Sequence, residues 1–197
     1  MLRGVTEPRT GRRRADAERN VEAIVDAVLD GGIVGGELNI AAVARLAGVS
    51  RVTLYSHFPT RQALVEAAVD RAIDESTRLA EELRLDLDPA PEALSRLVSS
   101  SWRMVDKYRS LYTAAASELP AGQLMALHSP LVGRVRKLIL RGRREGSFRK
   151  DLPVDWLVAT AFSLMHQAAE EVEAGRLSAR KAGSVITATV QSVLTCP

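Results

Sequence analysis

Between Ile40 and Phe58 the chain reads IAAVARLAGVSRVTLYSHF, and few backbones accommodate that order of residues. Ile40, Val43, Ala44 and Ala47 recur at helical spacing, with Asn39 in front of them as an N-cap. Gly48 tolerates the left-handed conformation that closes such a helix, and Val49 plugs the corner. Ser50 then caps a second, short helix from Arg51 to His57. Leu54 and Phe58, four residues apart, anchor it, and the small Ala44 lets it cross its predecessor closely. With those anchors turned inward, Arg51, Val52, Thr53, Tyr55, Ser56 and His57 are left largely outside. This is a helix-turn-helix pattern, whose second helix can enter a DNA major groove about 12 Å wide.

Charge supports that reading through its distribution more than its sum. The net charge is only +3. Residues 38–61 nevertheless carry Arg45, Arg51 and Arg61 with no acidic residue, as a phosphate-facing stripe requires. Residues 1–14 hold Arg3, Arg9, Arg12, Arg13 and Arg14 against Glu7 alone, without periodicity. They read as a flexible basic arm, which either inserts into a minor groove as such arms do or is an ordinary tail.

Around this segment the pattern is helical throughout. Val21, Ile24, Val25, Val28 and Leu29 form one apolar stripe, closed by Gly31 and Gly32. Phe58 and Pro59 break the short helix. Thr60 caps a long one carrying Leu64, Val65, Ala68, Val69, Ala72, Ile73, Leu79 and Leu83 in register. If it runs to about Leu85 it leaves the N-terminal unit and enters the next. Helices follow at about 92–109, 111–127, 130–145, 154–174 and 178–195, and no strand alternation stands out. The expectation is an all-α chain: the arm over 1–14, a three-helix helix-turn-helix domain over 15–62, and a larger helical bundle over 63–197. With 46% apolar and 26% charged residues there is material for a real core. A single cysteine, Cys196, excludes a disulfide framework and suits a cytoplasmic protein. No apolar run approaches the ~18 residues of a membrane span, and the Arg-rich start is no secretory signal.

The run AGVSRVTLYSHFPTRQAL closely resembles the signature of the TetR family of transcription regulators. That signature is an Ala-Gly-Val-Ser turn, a Thr-Leu-Tyr-x-His/Tyr-Phe helix and a capped long helix. The resemblance covers residues 16–70 at motif strength and extends to the length and helix order of the whole chain. It implies a homodimer on double-stranded DNA of twofold character, released when an effector binds the C-terminal domain. Carried over by position, it implies that Tyr55 and His57 contact phosphate, and that Thr53 meets phosphate or a base edge. Arg51, Val52 and Ser56 would face bases, Arg51 suiting guanine and Val52 a thymine methyl. Thr60 and Arg61 would approach phosphate at the start of the long helix, where Arg61 replaces the usual lysine. One stretch departs from the pattern. Where the family has a short Gly-aromatic connection and a Thr-Thr pair, this chain has GGIVGGELN, with Ile33 or Val34 for the aromatic and Asn39 for the capping Thr.

Trp102, Val105, Tyr108, Tyr112, Met125, His128, Phe162, Met165 and His166 concentrate aromatic, Met and His content in the C-terminal helices. Each taken singly suits core packing. As a set, the family resemblance implies that some border a cavity for a small apolar or amphipathic effector. On the last two helices Ala161, Met165, Ala168, Ala169, Val185, Ile186, Thr189, Val190 and Val193 make a small and apolar face expected to pair with a second copy.

An enzyme is not expected, since the chain has no phosphate-binding loop, zinc-protease motif, nucleophile elbow or Cys–His pair. No cofactor or metal is implied. The alternative from another class is a helical ligand carrier or protein-interaction module that has the fold without operator binding. Repressor and activator read alike at this level.

Overall fold

The computed structural model describes residues 9–195, with side chains from Arg14 onward except those of Ala121, Leu124 and Met125. Helix α1 (Arg9–Ala27) ends in a widened turn at Val28–Gly32 and leads into a hairpin of β1 (Ile33–Val34) and β2 (Glu37–Leu38). Then come α2 (Ile40–Leu46), α3 (Arg51–His57) and the long α4 (Arg61–Glu82). The C-terminal part is built from α5 (Ala90–Lys107), α6 (Arg109–Glu118), α7 (Ala121–Leu127), α8 (Ser129–Glu145), α9 (Val154–Glu173) and α10 (Ala179–Leu194).

The caps read from the sequence close as their chemistry demands. The side-chain oxygens of Asn39, Ser50 and Thr60 accept hydrogen bonds from the amides of Ala42, Thr53 and Ala63, each at 3.0 Å. At the turn after α2, the Val49 amide donates to the Ala44 carbonyl and the Gly48 amide to that of Arg45. These paired bonds need a left-handed residue between them, and Gly48 supplies it at φ 67°.

Two apolar cores result. The first joins Ile24, Val28, Val43, Leu54, Leu64, Val65 and Val69, and is completed by Tyr108, Leu111 and Leu119 from the C-terminal part. The second lies among α5, α8, α9 and α10, around Leu94, Leu97, Ile139, Leu157, Ile186 and Leu194. The 22-residue α4 spans about 33 Å and connects the two regions. Among the described residues no helix is long and apolar enough to cross a membrane.

Several elements differ from expectation. Helix α1 begins at Arg9, so the arm expected over residues 1–14 is helical in its last part, and residues 1–8 lie outside the described residues. The helix expected over 111–127 is two, α6 and α7, because the chain turns extended at Leu119 before Pro120. Helix α4 stops at Glu82, ahead of a positive φ at Arg84. The stretch GGIVGGELN folds as a two-stranded hairpin with Ile33 opposite Leu38 and Val34 opposite Glu37. Gly35 and Gly36, at φ 60° and 80°, form its two-residue turn, a shape that requires positive φ at both positions. The Gly36 end rests on α6: a Cβ there would come 3.0 Å from the Thr113 methyl.

Candidate nucleic-acid interface and ligand cavity

Helix α3 is held by one side and free on the other. Leu54 is fully buried and Phe58 nearly so, whereas Val52 is 80% and Tyr55 45% exposed. Arg51 and Ser56 are exposed beside them, with Thr53 and His57 half-buried at the margins. The predicted outward face is therefore present on one surface. Two of its hydroxyls are already engaged locally: Thr53 Oγ1 with Ser50 Oγ at 2.9 Å, and Ser56 Oγ donating to the Thr53 carbonyl at 2.7 Å. Thr60 is exposed, although its hydroxyl oxygen is taken by the cap. Arg61 does not stand free either. Its Nε donates to Glu118 Oε1 at 2.8 Å, tying the start of α4 to the end of α6. That contact was not foreseeable, because the sequence separates the partners by a fold's width.

In the C-terminal bundle a cavity of about 70 Å³ opens between α5, α8 and α9. Val105, Tyr112, His128, Phe162, Met165 and His166 line it, as their residue types suggested. Four of their rings cluster. Tyr112 stacks on His128 with centroids 5.9 Å apart and lies tilted 5.7 Å from His166. His128 meets Phe162 and His166 edge-on at 5.9 and 5.6 Å. Burial, and then the neighbouring Tyr108, push the Tyr112 hydroxyl up to about 12, so it stays protonated. Burial, and then His128, lower the His166 pKa and favour the neutral imidazole. A wider recess of about 490 Å³ adjoins the cavity between α6 and α9, and Tyr112 and His166 line both spaces.

Two expected lining residues face elsewhere. Trp102 packs in the bundle core against Gly183 of α10, where a Cβ would approach its ring to 3.1 Å. Tyr108 belongs to the N-terminal core, with its hydroxyl donating to the Glu75 carboxylate. Burial would raise Glu75, but the hydrogen bonds from Tyr108 and Lys107 outweigh it and hold the carboxyl below its ordinary value. The Met125 side chain lies outside the described residues. Sequence reasoning missed the apolar wall of Leu94, Leu97, Val98 and Leu131, and the hydroxyls of Ser76 and Ser101. Nothing in their local pattern separates them from ordinary core.

The expected pairing face also needs correction. Met165, Ala168, Ala169, Ile186 and Val190 are buried within the chain's own bundle, and Ala161 and Val193 pack partly against it. Of the expected set only Val185 and Thr189 are exposed. The residues actually outside are Trp156, 63% exposed, with Ala159 and Ser163 on α9, and Ser184, Ala188 and Ser192 beside Val185 on α10. The small-residue stripes were visible in the sequence, but not which side of each helix would be claimed by α5. Among the described residues no set of His, Cys, Asp and Glu converges to hold a metal ion.

Residues 36–68 match the family model of bacterial regulatory proteins of the tetR family. The fold is similar to that of the TetR-like transcriptional regulator LfrR from Mycobacterium smegmatis, in complex with proflavine. That match has a TM-score of 0.69 and 21% identity, covering 92% of this chain and 99% of the other. A Saccharomonospora viridis structure in complex with choline aligns at TM-score 0.71 and 17% identity, over 93% and 100% of the two chains. A TetR family transcription regulator from Marinobacter aquaeolei aligns at 0.63 and 17%, over 94% and 100%. No curated protein matches the chain in sequence. Residues 36–68 thus match the family model of tetR-family bacterial regulatory proteins, and the chain as a whole is similar in fold to solved TetR-like regulators.

Proposed function

We propose that this chain is a ligand-responsive, DNA-binding transcription regulator, a repressor that leaves a twofold-symmetric operator when a small molecule fills the bundle cavity. The carrying observation is the outward face of α3, where Arg51, Val52, Tyr55 and Ser56 are exposed on a helix anchored from behind. Arg51 suits a bidentate guanine contact and Val52 a thymine methyl. Tyr55, His57 and Thr53 suit phosphate. A second copy, paired through the exposed faces of α9 and α10 around Trp156 and Val185, would supply the second reading helix. The ligand complexes of LfrR and the S. viridis protein favour a sensing role for the cavity.

Helix α6 is the suitable messenger between the two regions. Tyr112 lines the cavity, Thr113 lies beside Gly36 of the hairpin, and Glu118 holds Arg61 at the start of α4. A ligand that favours one position of α6 would bias the spacing of the reading helices by its differential affinity for the two states.

The test is binding of the chain to a duplex from its own upstream region, followed by fluorescence anisotropy across a salt series. A regulator that neutralises several phosphates loses affinity steeply, with a linear decline of log K against log salt. Salt-independent or absent binding would instead identify the helical carrier with this fold.

A further inference from the structure

The lining of the inner cavity restricts what can enter it. Among the described residues that line it there is no Asp, Glu, Lys or Arg. We propose that the effector reaches the cavity from the recess between α6 and α9, and that the end passing Tyr112 and His166 is an uncharged ring bearing a hydroxyl group. The inference rests on the ligand-sensing reading above and supplies the chemistry of its ligand.

Three observations carry it. First, a charged group placed among Leu94, Leu97, Val98, Val105 and Leu131 would lose its hydration with no opposite charge to replace it. Second, Tyr112 and His166 offer complementary hydrogen bonding. The phenol of Tyr112 remains a donor because its proton is held up to about 12. The depressed pKa of His166 keeps an imidazole nitrogen available as acceptor. A ligand hydroxyl both accepts and donates, so it can satisfy the two together. Third, the ring cluster of Tyr112, His128, Phe162 and His166 presents both faces and edges, which suit another aromatic ring.

Size then gives the ligand mechanical leverage. An enclosed apolar space of about 150 Å³ accommodates a benzene-sized ring. The inner cavity, at about 70 Å³, is smaller than that. The recess beside it, at about 490 Å³, is not. Seating a ring therefore requires the inner cavity to widen, and Tyr112 on α6 and His166 on α9, common to both spaces, stand where a ring coming from the recess would press. The recess is charged, with Arg109, Glu170 and Glu173 on its rim, so polar substituents remain there in water while the ring goes inward. Thr113 also lines the recess and lies beside Gly36, where an added Cβ would come within 3.0 Å of its methyl, so a shift of α6 would bear on the hairpin.

The full chain without DNA is titrated calorimetrically with 2-naphthol, 2-naphthoate and (2-naphthylmethyl)trimethylammonium. The expected result is measurable binding of 2-naphthol, with both charged probes at least tenfold weaker. Tyr112→Phe and His166→Leu should each weaken 2-naphthol by about threefold to tenfold, the worth of one hydrogen bond, while retaining the wild-type circular dichroism. The proposal is overturned if either charged probe binds as tightly as 2-naphthol. It is equally overturned if 2-naphthol fails to bind up to its solubility, or if both folded variants bind it like wild type. Failure of the regulator reading would appear separately, as absent salt-sensitive DNA binding by the probe-free protein.

Discussion

The N-terminal head and the C-terminal bundle treat their polar side chains in opposite ways. The head is apolar behind α3 and displays arginine, tyrosine and serine to solvent. The bundle keeps Tyr112, His128 and His166 turned toward a cavity, with apolar residues around them. A displayed polar face can meet a macromolecule of any length, and its strength depends on salt. An enclosed one admits only what fits, and selects by hydrogen bonding without much interference from ions. Under the proposed function the two halves would take partners of different size, yet they share a core. Tyr108, Leu111 and Leu119 of the bundle side complete the packing of the head.

That shared core can be broken from the head. Leu54 has no exposed surface, and Leu54→Ala should cost about 3 kcal/mol through lost burial and the cavity left behind. For a chain of this size the melting temperature should fall by roughly 6–12 °C. Because the cores interlock, one cooperative transition should shift as a whole in circular dichroism. A biphasic melt, with an early step confined to part of the helix signal, would show that the head is an independent unit.

The outward face can be removed without touching the core. Arg51→Ala combined with Tyr55→Phe should weaken DNA binding about a hundredfold, from one bidentate base contact and one phosphate hydrogen bond. Both side chains are exposed, so the melt should move by less than about 0.5 kcal/mol. Unchanged affinity in an anisotropy titration would place the reading surface elsewhere.

The joint between the halves is sharpened by comparing two adjacent glycines. Gly35 and Gly36 both have positive φ, so alanine at either costs about 1 kcal/mol. Only at Gly36 would the added methyl also press on Thr113 of α6, since Gly35 faces open space. Gly36→Ala should therefore destabilise more than Gly35→Ala, by about 0.5–1 kcal/mol in urea melts. Equal losses would mean that the hairpin does not bear on the bundle.

How much of this was readable follows from how local each cause is. The helix-turn-helix is written in neighbours: Ser50 caps Thr53, Gly48 turns, and Leu54 and Phe58 anchor, all within one short stretch. The hairpin at Ile33–Leu38 was hidden because two-residue strands are too short to alternate, although Gly35–Gly36 is the turn signal such a hairpin carries. In the bundle, residue type picked out Tyr112, His128, Phe162 and His166. The direction of Trp102 and Tyr108, however, depends on where α10 and α4 lie, which is information of long range. The pairing face suffered likewise, since Ile186 and Val190 were apolar on sequence grounds whichever helix received them.

The Arg61–Glu118 pair gives the smallest and most discriminating effect. Arg61 was expected on phosphate, and in the free chain it is bound instead to a carboxylate from the other half. The arginine side chain is 42% exposed, and ion pairs of such exposure are worth between nothing and about 1 kcal/mol. A DNA phosphate can therefore take Arg61 from Glu118 at little cost. Glu118 also occupies the last turn of α6, where the helix dipole disfavours a negative charge, so losing the charge should not unsettle the helix. Glu118→Gln should then tighten DNA binding about twofold to fivefold at low salt, the gain fading as salt screens the charge that was removed. If the variant binds DNA more weakly, Glu118 is holding Arg61 in its reading position, and the bundle contributes directly to the surface that meets DNA.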